Sequence, residues 1–155
     1  MRQKRFWQNS WHNIKFSELN VETSMFKVAT TQFYIEFYKE FFKRYQNYQD
    51  LCAHHREIKL KTANEILGYI QPKSRVLSYG FGTGFVEHSI LEIRDDYSLE
   101  CFEVSPTLST WFAHLHSDVP LHFNIKNLKT YDLIYLLQIT YAMPKSIINE
   151  VFPKL

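Results

Sequence analysis

The sequence has few of the residues that break or cross-link a chain. Its 155 residues include four glycines, five prolines and two cysteines, and the formal net charge is only +2. Cys52 and Cys101 have neither a metal-type spacing nor a disulfide framework, and scattered charges of both signs argue against a nucleic-acid partner. We therefore expect a soluble globular chain in a reducing compartment, the cytoplasm.

Long hydrophobic runs are also absent. The longest apolar run, around Leu133 to Met143, is too short to cross a bilayer, and the basic N-terminus lacks the apolar stretch of a signal peptide. Among the seven histidines, His54 and His55 are adjacent, and His114 and His116 are two apart, unlike the i, i+4 pair that binds zinc on a helix. We predict no membrane segment and no metal site.

Aromatic residues are concentrated before residue 50. They recur at helical spacing and predict a helix with a broad aromatic face, formed by Phe33, Phe37, Phe41, Tyr45 and Tyr48 and widened by Tyr34, Tyr38 and Phe42. This face either packs against the domain core or forms a lid over a ligand cleft. A second helix is predicted over residues 54–70, ended by Gln71-Pro72-Lys73. We assign residues 1–70 to a helical extension or lid and residues 71–155 to the main domain.

Strands and helices alternate in the second half of the chain. Strand-like runs are predicted at 75–79, 98–103, 120–124 and 132–138, with helices at 85–93, at 105–116 and from residue 144. Ser105 can cap the second of these helices, and Pro106 suits its first turn. Because right-handed crossovers place helices on the faces of a sheet, this alternation predicts an α/β fold with a parallel sheet.

The candidate binding site begins in the last two residues of the first of these strands. It consists of Ser78, Tyr79, Gly80, Gly82 and Gly84, and a predicted helix comes next. Glycines let the backbone approach a nucleoside or phosphate, and the helix N-terminus offers unpaired N–H groups. About twenty residues further on, Glu103 ends the next strand, from which a carboxylate can accept both ribose hydroxyls. Together these features predict a nucleotide-like cofactor.

The glycine spacing separates two cofactor classes. Gly84 is followed by Phe85, whereas a dinucleotide fingerprint has its last small residue one place later, so NAD is disfavoured. With Glu103, the pattern resembles the class I S-adenosylmethionine-dependent methyltransferases, whose first motif ends strand one. The resemblance runs from about Arg75 to Phe152. It implies a Rossmann-like fold and S-adenosylmethionine as the cofactor.

The resemblance also implies cofactor contacts. The three glycines would lie under the methionine moiety, Glu103 would bind the ribose, and Val104 would form an apolar wall for adenine. Asn124 stands where the family often has an aspartate that contacts the adenine amino group. Gln138 and Ile139 would end the fourth strand beside the cofactor.

Two departures from the family pattern bear on activity. Ser78 stands where the family usually has Asp or Glu, so a charge-assisted hydrogen bond is lost and we expect weaker cofactor binding. The family sheet has strand order 3-2-1-4-5-7-6, whereas this sequence supplies four strands, with expected order 3-2-1-4. We therefore expect a truncated protein whose strand four, around Leu133 to Leu137, is an edge available for self-association or a partner subunit.

The function expected from the sequence is methyl transfer to a small molecule enclosed by the aromatic N-terminal helices. Positioning supplies much of the rate for an activated sulfonium donor, so the sequence identifies no catalytic residue, although His88 and Tyr141 are candidates to approach a substrate. The segment Gln138-Ile139-Thr140-Tyr141 lacks the motif of base-amine methyltransferases. Two alternatives stay open: a non-catalytic remnant or interaction module with a Rossmann-like half, and a nucleotide-dependent oxidoreductase fragment.

Overall fold

The computed structural model describes residues 9–19, 31–104 and 106–137. The chain forms two compact units. The described residues of the first unit come from the first 46 positions, and the second unit is Asn47–Leu137. No helix within these described ranges is long and apolar enough to span a membrane.

The first unit is an aromatic cluster around one helix. Strands β1 (Ser10–Trp11) and β2 (Ile14–Lys15) form an antiparallel hairpin, and helix α1 spans Thr31–Arg44. The helix buries its i, i+4 face, because Phe33, Phe37 and Phe41 are at most 5% exposed. Phe37 stacks on Trp11 with 4.8 Å between the ring centroids. The predicted aromatic helix is confirmed over these positions, and its face packs within this unit.

Two aromatic residues of that predicted face lie outside the helix. Tyr45 follows the end of α1, and its hydroxyl donates to the carbonyl oxygen of His12 at 2.8 Å. Tyr48 starts a short 3-10 turn, Tyr48–Asp50, in the second unit. Asn47 caps this turn by accepting from the Gln49 N–H at 2.8 Å, so the helical pattern is interrupted by local capping. The prediction of one continuous face through Tyr48 was therefore wrong.

The second unit contains a parallel four-stranded sheet. Its strands are β3 (Arg75–Tyr79), β4 (Ser98–Phe102), β5 (Leu121–His122) and β6 (Leu133–Leu136). Their spatial order is β5-β4-β3-β6, and every neighbouring pair is parallel. This is the predicted order 3-2-1-4, so the α/β, Rossmann-like fold class is confirmed.

Helices α2 (Ala53–Leu67), α3 (Phe85–Ile93) and α4 (Thr110–Leu115) accompany the sheet. One buried core joins sheet and helices, and its members include Val76, Cys101, Ala63, Ile66, Ile90 and Phe112. The sequence-based division placed residues 54–70 in the N-terminal extension. In the structure α2 belongs to the unit that begins at Asn47, because its apolar stripe is part of the sheet core.

Several predicted boundaries differ from the structure. Helix α2 ends at Leu67 rather than at residue 70, and the N–H of Gly68 turns back to the carbonyls of Glu65 and Ile66. The third strand of the sheet ends at His122 because the side chain of Asn124 accepts from the Lys126 N–H at 3.0 Å and caps a 3-10 turn. Local side-chain capping thus replaces strand pairing at this point.

Other predicted elements have slightly different bounds in the structure, and some fall outside the described residues. The strand predicted at 98–103 ends at Phe102, the one predicted at 132–138 is β6, and the helix predicted at 105–116 is a 3-10 turn, Pro106–Ser109, followed by α4. Ser105, Gln138, Ile139, Tyr141 and the helix from residue 144 lie outside the described residues.

Candidate functional site

The glycine-rich turn joins β3 to α3 at the carboxyl end of the sheet. Gly80, Gly82 and Gly84 have φ angles of +77°, +59° and +76°, which residues with side chains rarely adopt. The N–H of Gly80 donates to the carbonyl oxygen of Phe102 on β4 at 2.7 Å. The backbone path itself thus requires alternating glycines, which is why the sequence pattern located the turn.

Gly84 serves packing as well as backbone conformation. A Cβ atom built at this position would lie 2.6 Å from the Cβ atom of Phe112 on α4. That distance is far shorter than a van der Waals contact, so α4 approaches the turn as closely as it does because position 84 has no side chain. The sequence could not separate this packing role from a role in ligand approach.

Glu103 lies next to the turn, immediately after β4. The N–H of Gly82 donates to its Oε2 at 3.0 Å, and the N–H of Val104 donates to its Oε1 at 2.7 Å. The residue is 5% exposed. Both oxygens of the Glu103 carboxylate are therefore engaged by backbone N–H groups. The structure therefore brings together Glu103 and the glycine turn, as the sequence predicted.

The remaining predicted contacts are placed differently. Val104 is 58% exposed beside Glu103, so it presents an apolar surface to solvent. Tyr79 is 5% exposed, and its ring lies 4.5 Å from that of Phe102, which makes it a core residue. Asn124 is exposed, and its side-chain oxygen is engaged by the Lys126 N–H.

Ser78 faces a buried carboxyl group on α3. Its hydroxyl donates to Oε1 of Glu87 at 2.6 Å, and the hydroxyl of Tyr135 donates to the same oxygen at 3.0 Å. Glu87 is 1% exposed. Burial raises the pKa of Glu87, and the hydrogen bonds from Ser78 and Tyr135 oppose this rise without cancelling it.

Sequence reasoning missed Glu87. Its one signal is an acidic residue directly after Phe85 and Val86 in a helix in which five of nine residues are apolar. Its partners Ser78 and Tyr135 are far apart in the sequence and meet at this carboxyl through the pairing of β3 with β6.

A cluster of rings covers the start of α3. The hydroxyl of Tyr48 donates to the carbonyl oxygen of Thr83 at 2.6 Å, and its ring stacks on that of His88 with 4.9 Å between centroids. Nδ1 of His88 lies 2.9 Å from Nε2 of His116, and 4.0 Å from Oε1 of Glu92. Burial lowers the pKa of both imidazoles. Sequence reasoning missed this cluster because it compared histidines within one helix.

A further polar cluster is centred on Glu100 in β4. Its carboxylate bonds to Arg75 Nη2 at 2.9 Å, His122 Nε2 at 2.7 Å and Tyr131 Oη at 2.9 Å. Burial by itself raises the pKa of Glu100, but these hydrogen bonds outweigh it and lower the pKa to about 2. The cluster links side chains from β3, β4 and β5.

A cavity of about 350 Å³ lies at the other end of the sheet. Its lining includes Lys73, Ser74, Asp132 and Leu133, which precede or begin β3 and β6. Ligands of open α/β sheets bind outside the carboxyl ends of the strands. The cavity is therefore at the wrong edge for the predicted site, and it contains none of the predicted cofactor residues.

No protein-family model matches the chain, and a search of curated proteins finds no match. Among solved structures, the chain is similar to coclaurine N-methyltransferase bound to N-methylheliamine and SAH, with 18% identity over 52% of this chain and 26% of that one, and a TM-score of 0.43. Streptomyces venezuelae DesVI is 16% identical over 51% of this chain and 36% of that one, with a TM-score of 0.41. A ribosomal protein L11 methylase from Lactobacillus delbrueckii subsp. bulgaricus is 16% identical over 64% of this chain and 52% of that one, with a TM-score of 0.45.

The chain spans between about a quarter and about half the length of these three proteins. The strand order and the glycine turn between β3 and α3 define, on their own, a Rossmann-like α/β unit.

Proposed function

We propose that the second unit binds S-adenosylmethionine at the Gly80 to Gly84 turn and serves methyl transfer to a small molecule. The observation that carries this proposal is the 3.0 Å hydrogen bond from the Gly82 N–H to Glu103. It joins the glycine turn to the one acidic side chain predicted to hold a ribose. Both groups lie at the carboxyl ends of adjacent parallel strands, where ligands bind in this fold.

The residues around the turn fit the parts of this cofactor. Glu103 carries a carboxylate, which is the group that accepts ribose hydroxyls, and Val104 offers an exposed apolar side chain for the adenine. The glycine turn offers backbone rather than side chains to the methionine moiety. S-adenosylmethionine supplies an electrophilic methyl group. The chain's own contribution is then to orient donor and acceptor.

Cofactor binding should be weaker than in a protein with Asp or Glu in place of Ser78. The hydroxyl of Ser78 is already donated to Glu87 at 2.6 Å, and the carboxyl of Glu87 is fully buried. Neither group therefore supplies the charged acceptor that the methyltransferase family usually has in place of Ser78. A charge-assisted hydrogen bond is roughly twice as strong as a neutral one.

Calorimetric titration of the whole chain with S-adenosylmethionine, S-adenosylhomocysteine and NAD tests the proposal. We expect the two sulfur compounds to bind and NAD not to bind. Glu103→Gln should weaken binding by about tenfold or more, because hydrogen bonds to charged groups contribute about 1.5–3 kcal/mol. Gly82→Val should abolish binding, because it places a branched side chain at φ +59° where the ligand would lie.

A glycine away from the turn provides the matched control. Gly68 has φ −63°, which alanine adopts readily, so Gly68→Ala should bind like the wild type. Circular dichroism of each variant separates lost binding from lost folding. Unchanged affinity in folded Gly82→Val and Glu103→Gln would show that the site is elsewhere.

The second candidate function is a non-catalytic module that keeps the Rossmann-like sheet. Two observations favour it: Ser78 is engaged with Glu87, and both oxygens of Glu103 already accept backbone N–H bonds. A folded chain that binds neither sulfur compound below millimolar concentration supports this candidate. Binding of NAD alone would instead support the oxidoreductase alternative.

A further inference from the structure

Three side chains with metal-binding atoms converge on one side of α3. His88 and Glu92 are four residues apart on this helix, and His116 follows the end of α4. Their ligand atoms, His88 Nδ1, His116 Nε2 and one carboxylate oxygen of Glu92, all lie within 4.8 Å of one another. Two imidazoles and a carboxylate are a donor set typical of zinc sites.

The distances are close to those of a shared ion. For zinc–nitrogen bonds of about 2.05 Å at the tetrahedral angle, two ligand atoms are separated by roughly 3.3 Å. The two imidazole nitrogens are 2.9 Å apart, and His88 Nδ1 is 4.0 Å from Glu92 Oε1. The imidazoles would separate by a few tenths of an ångström, and the Glu92 side chain, 66% exposed, can rotate to close the longer gap.

Aromatic packing holds both imidazole rings in place. His88 stacks on Tyr48 with 26° between the ring planes, and His116 packs on Phe112 with 4.8 Å between centroids. Phe112 is fully buried. Rings fixed in this way lose little conformational freedom on binding an ion, which favours affinity.

We propose that His88, Glu92 and His116 form a zinc site that joins α3 to the end of α4. Three protein ligands leave the fourth position for water. The site lies one helical turn beyond Gly84, whose carbonyl oxygen accepts the His88 N–H at 2.8 Å. It is separate from the proposed cofactor contacts at Glu103 and Gly82.

Metal titration of the untagged whole chain tests the site without any cofactor. After treatment with a chelator, Co²⁺ should bind in one equivalent and give the strong visible d–d bands of four-coordinate cobalt, and Zn²⁺ should displace it. Zn²⁺ should also raise the thermal unfolding midpoint, because an ion that binds the folded state stabilises it.

Variants distinguish this site from metal binding elsewhere. His116→Gln and Glu92→Gln should each lower the affinity for Co²⁺ by about tenfold or more, since each removes one of three ligands. The control is His114→Gln. His114 is an exposed histidine of α4, so this variant should leave the affinity for Co²⁺ unchanged. Glu92 is largely exposed, so its variant keeps the test informative if His116→Gln does not fold.

The proposal is overturned if the wild type binds no Co²⁺ below millimolar concentration, or if folded His116→Gln and Glu92→Gln bind as tightly as His114→Gln. In that case His88 and His116 form a neutral hydrogen-bonded pair. A sulfur-to-cobalt charge-transfer band would point to the exposed Cys52 as the ligand and would also overturn it.

Discussion

At the scale of single residues, Glu87 combines complete burial with two hydroxyl donors. Ser78 and Tyr135 both donate to its Oε1, so the carboxyl fixes the relative position of β3, β6 and α3. Burial nevertheless disfavours the charged form and raises the pKa of Glu87, while the hydrogen bonds and the attraction of Lys59 oppose the rise. Its ionisation therefore lowers the stability of the folded protein.

Glu87→Gln should flatten the pH dependence that Glu87 produces. The ordinary pKa is 4.5, and the folded-state pKa lies above it. As pH rises between these two values, the unfolded chain loses a proton that the folded protein keeps, so stability falls. Glutamine keeps an oxygen that can accept from Ser78 and Tyr135. We expect the variant to match the wild type near pH 4 and to exceed its free energy of unfolding near about pH 7, measured by urea unfolding.

Glu87→Ala is the matched comparison. It leaves the hydroxyls of Ser78 and Tyr135 without this acceptor, and a buried group without a partner costs about 1–3 kcal/mol. The alanine variant should therefore be less stable than the glutamine variant at every pH. A glutamine variant with the same pH slope as the wild type would contradict a raised pKa for Glu87.

The residue scale also shows what a motif can and cannot specify. Gly80, Gly82 and Glu103 were predicted from spacing, because positive φ angles favour glycine and the apolar pattern shows where strands end. Gly84 matches the same motif, yet its missing side chain also admits Phe112. Tyr79 precedes the glycines and was grouped with the cofactor residues, but it is buried. A motif gives positions along a chain and not the direction of each side chain.

At the scale of elements, the Glu100 cluster ties three strands together. Its partners Arg75 and His122 come from β3 and β5, which lie on either side of β4. The side chain of Glu100 is 9% exposed, so its ion pair with Arg75 is better shielded from water than a surface pair. The cluster thus aligns the strands that carry the glycine turn and Glu103 at their carboxyl ends.

Glu100→Gln should remove an acid-sensitive part of the stability. The pKa of Glu100 falls from 4.5 to about 2 on folding, so its contribution is present above about pH 4.5 and is lost as pH falls towards 2. A shift of this size corresponds to at most about 3 kcal/mol, and solvent screening at Arg75, whose side chain is 40% exposed, reduces it. We expect the variant to be less stable than the wild type by up to that amount near about pH 7 and the difference to shrink on acidification.

An exposed carboxylate serves as the control for this experiment. Glu57 pairs with Lys61 at 3.2 Å, with both side chains more than 60% exposed, and such pairs contribute about 0–1 kcal/mol. Glu57→Gln should therefore change the urea midpoint little at any pH. Equal effects of Glu57→Gln and Glu100→Gln would contradict the shielding of the Glu100 cluster.

Element boundaries were predictable where periodicity and a strong local signal coincide. The predicted strand 75–79 and the predicted helix 85–93 match β3 and α3. The glycine turn separates these two elements sharply. Prediction failed where capping competes with the regular pattern, at Asn47 before Tyr48 and at Asn124 after β5. An Asn side chain that accepts from the backbone N–H two residues later ends an element without changing the apolar spacing.

At the scale of the molecule, the two compact units differ in what stabilises them. The first unit packs aromatic rings of α1 against its hairpin, whereas the second surrounds a parallel sheet with α2, α3 and α4. Within the second unit β3 and β4 are the interior strands, and β3 pairs with β4 on one edge and with β6 on the other. Stability should therefore be unevenly distributed over the sheet.

Native-state hydrogen exchange should follow this order. We expect the amides of β3 to exchange most slowly in the sheet, because both of its edges are paired over at least four residues, whereas β4 pairs with β5 over only two. Val76 and Leu77 are also fully buried. The amides of β5 should exchange faster, since this strand has two half-buried residues. Measurement by NMR or mass spectrometry checks the order, and β5 protection equal to that of β3 would contradict it.

The sequence by itself determined the fold class and the place of the glycine turn, and the strand order was expected from the resemblance to a known family. Alternating apolar runs, glycines at φ-demanding positions and an acidic strand end are local features, and local features can be read from a chain. The tertiary structure alone decided that Glu87 is the buried partner of Ser78 and that His116 lies beside His88 and Glu92. Spacing along the chain does not show these contacts, because sheet pairing and helix packing decide which side chains meet.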